Sequence, residues 1–162
     1  MRASDFNSYV KAHQQCIFRF VHKIVGDREQ AKDIVQDSFE KLWTHGKDLQ
    51  SDKIRPWLYT TSRRMCLLHI KEKEHLLDID SLEYELFKDV NQDNFDIQQV
   101  IERGLALLSE LQKSALMLRD YEGYSYEEIS SILAISEDSV KVHLFRARKK
   151  IREHIKDLKW VL

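Results

Sequence analysis

Apolar residues recur along this chain at intervals of three and four, and that period predicts helices throughout. From about Asp5 to Val25 the positions Tyr9, Val10, Ile17, Phe18, Phe20, Val21, Ile24 and Val25 are apolar, and Gly26 ends the run. Asp27 then offers an N-cap for a second helix to about Trp43. Ala31, Val35, Phe39 and Leu42 line one face of it, while Asp33, Gln36, Asp37 and Glu40 line another. Gly46 opens a polar loop that lasts to Pro56, and proline suits the first turn of a third helix from about Trp57 to Lys73. Between about Leu76 and Phe95 the periodicity is weak, so a linker is expected, with one helical turn near Tyr84 to Phe87. Four further helices are predicted at about Ile97 to Leu108, Gln112 to Tyr121, Tyr126 to Leu133 and Glu137 to Lys159. There is no strand pattern of comparable quality, no internal repeat and no low-complexity tract.

The last two predicted helices are closely spaced and separately capped. Ser125 and Glu128 have the spacing of a capping box, and Gly123 before them can end the preceding helix in a left-handed conformation. Ile129, Ile132, Leu133 and Ile135 follow at helical intervals, and Ser136 then offers a second N-cap, with Glu137 and Asp138 in the first turn beyond it. On the final helix Val140, Leu144, Ala147 and Ile151 share one stripe, which leaves Asp138, Val142, Phe145, Arg146 and Lys149 opposite, flanked by Lys141 and Arg148. This is the pattern of a helix-turn-helix that reads DNA. The cations can bond guanine edges or phosphates, and Phe145 or Val142 can meet a thymine methyl.

Charge adds a division of the chain. From Glu137 to the end, eight Lys/Arg stand against four acids, and Lys53 to Lys73 holds six cations and one acid. Asp78 to Asp96 holds seven acids and only Lys88, so two basic blocks flank an acidic one. The net charge of -1 is low for a free-standing DNA binder, which ordinarily needs a basic excess to release counterions. DNA affinity is then expected to come partly from a partner. One Pro and four Gly suit long helices, and 43% hydrophobic residues suffice for one domain or two small ones. Apolar runs are short and broken by charge, so neither export nor membrane insertion is expected, and the protein is expected in the cytoplasm.

With both halves laid out, the chain resembles the extracytoplasmic-function sigma factors, the smallest class of bacterial RNA polymerase specificity subunits. Gly26-Asp27-Arg28-Glu29-Gln30-Ala31-Lys32-Asp33-Ile34-Val35-Gln36-Asp37-Ser38-Phe39-Glu40-Lys41-Leu42-Trp43 looks like that family's second-region helix, and Trp57-Leu58-Tyr59 like the start of its promoter-opening segment. Leu108-Ser109-Glu110-Leu111 through Arg146-Ala147-Arg148 resembles its fourth region. The resemblance implies an all-α chain of two small helical domains, a region-2-like bundle of three or four helices over residues 1–75 and a region-4-like helix-turn-helix over 96–162, joined by an acidic linker over 76–95. It implies core RNA polymerase as a partner for Asp33, Gln36, Asp37 and Glu40. Minus-ten promoter DNA falls to Arg55, Trp57, Tyr59, Arg63, Arg64 and Lys71, with the loop before them capturing a flipped base. The minus-thirty-five element falls to Ser139, Lys141, Val142, Phe145, Arg146 and Lys149. An anti-sigma or recruiting protein is a further expected partner. No cofactor, metal or catalysis is implied. The chain departs from the family at Arg64 and Leu68, where Asn and Asp are common, and at Gln112, where Pro is common.

Two other readings follow from parts of the sequence. Ser139-Val140-Lys141-Val142-His143-Leu144 also suits a response-regulator output domain binding operator DNA as a dimer, although the N-terminal half lacks alternating strands and a phosphoacceptor pocket. His13-x-x-Cys16 and Cys66-x-x-His69 each place two potential zinc ligands on one helical face. The apolar neighbours of both cysteines favour buried thiols.

Overall fold

The computed structural model describes residues 1–79 and 97–159, with the side chains of 77–79 and 159 left undescribed. The expected helical turn near Tyr84 to Phe87 and most of the acidic segment lie outside the described residues. Seven α-helices and no strand occur among the described residues: α1 (Ala3–Val25), α2 (Arg28–His45), α3 (Ser51–Ile79), α4 (Ile97–Ala106), α5 (Glu110–Leu116), α6 (Tyr126–Leu133) and α7 (Glu137–Lys159).

The first three helices pack on one another through Ile17, Phe20 and Val21 of α1, Ala31, Ile34, Phe39 and Leu42 of α2, and Ile54, Leu58 and Cys66 of α3. Each large apolar side chain removed from water here contributes about 1.5–3 kcal/mol. The caps are local. Gly26 ends α1 with φ 76°, a left-handed conformation, and Asp27 begins α2 by accepting from the Gln30 amide at 2.8 Å. Gly46 ends α2 with no room for a side chain, because a Cβ there would collide with the Leu42 carbonyl.

α3 begins earlier than its proline suggests. It starts at Ser51, so Pro56 stands at the sixth helical position rather than in the first turn, and the loop after α2 shrinks to 46–50. The cost is one missing helical N–H near a helix end, and the Pro56 carbonyl still accepts from the Thr60 hydroxyl at 3.1 Å.

The second group of helices encloses Leu105, Leu108, Ala115, Leu116, Met117, Leu118, Ile129, Ile132, Leu133, Val140, Leu144 and Ala147. α5 opens with a capping box, in which Ser109 accepts from the Gln112 amide and the Gln112 side chain accepts from the Ser109 amide. The departure at Gln112 therefore has a structural use, since a proline there would have no N–H for Ser109. After Leu116 the helix widens into a π turn over Met117–Tyr121, and the Glu122 amide reaches back five residues to the Met117 carbonyl at 3.1 Å. The two groups are in contact, α1 against α5 and α3 against α6.

Candidate nucleic-acid interface

α6, its turn and α7 build the reading element. Ser125 and Glu128 form a complete capping box, with bonds of 3.2 and 2.8 Å. Ala134 takes a left-handed conformation (φ 55°, ψ 45°) and lets the Ile135 amide bond the Ser130 carbonyl. Ser136 accepts from the Ser139 amide at 3.1 Å and donates its hydroxyl to Ser139 at 2.9 Å, which occupies Ser139 in the cap. Val140, Leu144 and Ala147 are buried, and Ile151 packs partly beneath them. That burial turns Val142, Phe145, Arg146 and Lys149 outward, with Phe145 69% exposed despite its apolar ring. Lys141 pairs with Asp138 at 3.5 Å and Lys149 with Glu153 at 3.9 Å, both exposed pairs that exchange readily for phosphate. Arg148 is instead tied to Asp120 of the π turn through two bonds of 2.7 and 3.3 Å.

α3 divides the remaining DNA candidates between two faces. Arg64 and Lys71 are exposed and Trp57 half-buried, at intervals of seven along one side, with the 61%-exposed Leu68 among them. Arg55, Tyr59 and Arg63 recur every four residues on another side, turned toward the second group of helices. There the Arg63 guanidinium donates to both oxygens of Glu110, at 2.7 and 2.9 Å, and Glu110 also accepts from the Ser114 hydroxyl. The Glu122 side chain, 3% exposed, accepts from Arg55 at 2.6 Å and from Arg19 of α1 at 2.8 Å. Arg55 also stands over the Tyr124 ring at 5.2 Å. The Tyr59 ring is fully buried, edge-on to Phe20 at 5.1 Å and to Tyr124 at 5.6 Å, so no base can stack on it while the two groups touch.

The electrostatics follow from this packing. Burial drives the Tyr59 hydroxyl far above its ordinary value, helped by Cys16 and Glu122, and pushes Tyr124 up to about 12. Burial alone would lower the Arg55 guanidinium, but the two tyrosines and Glu122 outweigh it and raise it. Burial pushes the Cys66 thiol up to about 12, with Glu110 adding to the effect. Cys16 donates to the His13 carbonyl at 3.0 Å, and no group of three or more His, Cys, Asp or Glu among the described residues could hold a metal ion.

On α2, Asp33, Gln36, Asp37 and Glu40 are all exposed. Gln36 and Glu40 border an open groove of about 1150 Å³ between α1 and α2, floored by Phe6, Val10, Phe18, Val35, Phe39 and Trp43. Asp33 and Asp37 lie outside its lining. The groove's α1 residues escaped sequence reasoning, as did Arg19, Glu110 and Glu122. Phe18 and Phe39 read simply as apolar helix positions, no motif marks Arg19 or Glu122, and Glu110 stood within the Leu108–Leu111 match with no role assigned to it.

Residues 9–75 match sigma-70 region 2, and residues 98–151 match sigma-70 region 4. The chain belongs to the sigma-70 family, in its extracytoplasmic-function group. It is 28% identical to the ECF RNA polymerase sigma factor SigM of Bacillus subtilis over 140 residues, 84% of this chain and 86% of that one. It is 25% identical to the RNA polymerase sigma-H factor of Pseudomonas aeruginosa over 94% of this chain and 87% of that one. Its fold is similar to the sigma factor RpoE of Bartonella quintana, solved in complex with the anti-sigma factor NepR (TM-score 0.81, 21% identity, 95% of this chain and 98% of that one). CnrH, solved with the cytosolic domain of CnrY, is also similar (TM-score 0.71, 18% identity, 96% and 90%). This sigma factor is an alternative RNA polymerase subunit that directs transcription initiation, and the response-regulator reading is not favoured, since the N-terminal half matches region 2. Sigma factors generally act in initiation without being enzymes. No helix among the described residues is long and apolar enough to cross a membrane.

Proposed function

We propose that residues 1–75 bind core RNA polymerase and the minus-ten region, that 96–162 read the minus-thirty-five element, and that 76–95 join them, all in the bacterial cytoplasm and without catalysis. The observation that carries this reading is the outward row Val142, Phe145, Arg146 and Lys149 on a firmly packed α7, in the same chain as an exposed polar row on α2. Gln36 and Glu40, beside an apolar groove, suit docking of a polymerase helix, with Asp33 and Asp37 beside them as charged contacts. Ser139 and Lys141 stand at the N-terminal end of α7, where a reading helix meets base edges and phosphates. Trp57, Arg64 and Lys71 form the minus-ten face that is accessible in this structure. Arg55, Tyr59 and Arg63 join it only when the two halves separate.

The departures at Arg64 and Leu68 bear on specificity. Replacing the family's usual amide by a cation, and its usual acid by an apolar residue, makes this face two charges more positive. Strand holding then depends more on phosphate attraction and less on base reading. Opening needs no nucleotide hydrolysis, because unstacking a base costs only a few kcal/mol, which a pocket and ring stacking offset. Partners resembling NepR or CnrY suit this chain as regulators, since those proteins occur with its structural neighbours.

Transcription-start mapping on a genomic library, with core polymerase in the presence and absence of the protein, tests the reading. New starts sharing two spaced elements are expected. No new starts and no complex with core would overturn it.

A further inference from the structure

We propose that the groove between α1 and α2 is a binding site for a single-chain amphiphilic anion of the fatty acid class, and that a bound chain excludes the polymerase helix from this face. The exclusion rests on the docking reading above, whereas the site rests on geometry and charge alone.

Three observations lead to it. The groove holds about 1150 Å³ of open space, the scale of a small-molecule site, and its floor is apolar from one end to the other. Trp43 there is 43% exposed, and Phe18 and Val35 are only half-buried, so apolar surface remains for a ligand to cover. Second, the charges sit at the ends of the floor. Arg28 lies over the Phe18 ring at 5.6 Å with no carboxylate partner among the described residues, and Lys32 stands one turn further along α2. Lys32 is held by an exposed pair with Glu29 at 2.7 Å, a contact that a ligand carboxylate replaces at little cost. At the far end the charged group is an acid, Glu40, close to Trp43. An anionic head is therefore drawn to Arg28 and Lys32 and repelled from Glu40, which gives the ligand one orientation.

Third, the length suits an acyl chain. Lys32 and Trp43 are eleven positions apart on α2, about 16 Å at ~1.5 Å per residue. The tail then ends on Phe6 and Trp43, whose rings meet edge-on at 5.1 Å. Gln36 and Glu40 border the same opening, so a chain lying in it covers the surface that a polymerase helix would take.

The test is isothermal titration calorimetry of the full chain with sodium laurate, kept below the concentration at which it forms micelles. Saturable binding to one site is expected, about tenfold tighter than that of dodecyltrimethylammonium, which has the same tail and the opposite head charge. Decanoate is expected to bind about fourfold more weakly than laurate, because two methylenes leave a partly covered floor. Arg28→Glu with Lys32→Glu is expected to weaken laurate about tenfold relative to Lys53→Glu with Lys156→Glu, the same charge change at exposed positions outside the groove. No saturable binding, equal affinity in the two double variants, or tighter binding of the ammonium overturns the site. If the charge-reversed variant loses its helical circular dichroism, Arg28→Gln with Lys32→Gln reads the effect at about threefold, and affinity equal to the wild type overturns it as well. Cosedimentation with phosphatidylglycerol vesicles in the absence of laurate binding would make this face a membrane contact and also overturn it. The exclusion is read separately, from binding of the wild-type chain to core polymerase with and without saturating laurate. Weaker binding with laurate is expected, and equal binding refutes the exclusion. Failure to bind core even without laurate refutes the docking reading, while the calorimetry still decides the site.

Discussion

His13 illustrates how burial decides a residue's behaviour. His13 is half-buried in α1, and burial first, then the Arg55 charge, lowers its pKa below the ordinary 6.5. The unfolded chain therefore binds a proton that the folded chain resists. The stability involved is fully present above pH 6.5 and is lost as pH falls through that value toward the lower folded pKa. Melting temperature is expected to drop between pH 7 and pH 5 more steeply in the wild type than in His13→Gln, as followed by circular dichroism; equal slopes would refute the assignment. The spacing of His69 from Cys66 reflects only a shared helical turn.

Elements show the same local control, including one strained position. Ala134 ends α6 in a left-handed conformation that costs an L-residue about 1–2 kcal/mol, and its side chain is exposed, so nothing is packed against the methyl. Ala134→Gly is expected to stabilise the protein by about 1 kcal/mol in urea denaturation, and a loss of stability would show that the turn has another constraint. On α3, Arg64→Asn is expected to reduce the salt dependence of single-stranded DNA binding, with the slope of log K against log salt falling by about 0.7. An unchanged slope would remove Arg64 from the phosphate contacts.

Much of this level was legible in the sequence, because caps and stripes are written in neighbouring residues. Asp27, the Ser125–Glu128 pair, Ser136 and the row Val140, Leu144 and Ala147 all behave as their spacing predicts. What was hidden depends on geometry that spacing does not encode. The π turn places Glu122 where the next α-helical position, Tyr121, would otherwise stand, so the acid is buried and the tyrosine is 47% exposed. Counting at 3.6 residues per turn reverses those two. Likewise, the cations of α3 look like one basic block until the helix winds them onto two faces, one of which meets partners more than forty positions away. Residues so distant leave no local signal.

At the scale of the whole molecule, the net charge of -1 and the engaged arginines work in the same direction. The free chain is expected to bind random duplex DNA weakly at physiological salt, by fluorescence anisotropy, and tight binding by the isolated protein would contradict this. The peripheral Lys23–Glu102 contact, 3.2 Å long with Glu102 half-exposed, adds little to closure. The apolar groove between α1 and α2 lies away from the contacts of α1 with α5 and of α3 with α6.

The π turn joins these scales. Within three residues it sends Asp120 to Arg148 on the reading helix and Glu122 to Arg55 and Arg19 on the first half. Under the proposed promoter assignment, a change in this short turn is expected to disturb both ends of recognition together, so that the two cannot drift independently and a defect at one end can find its genetic suppressor at the other.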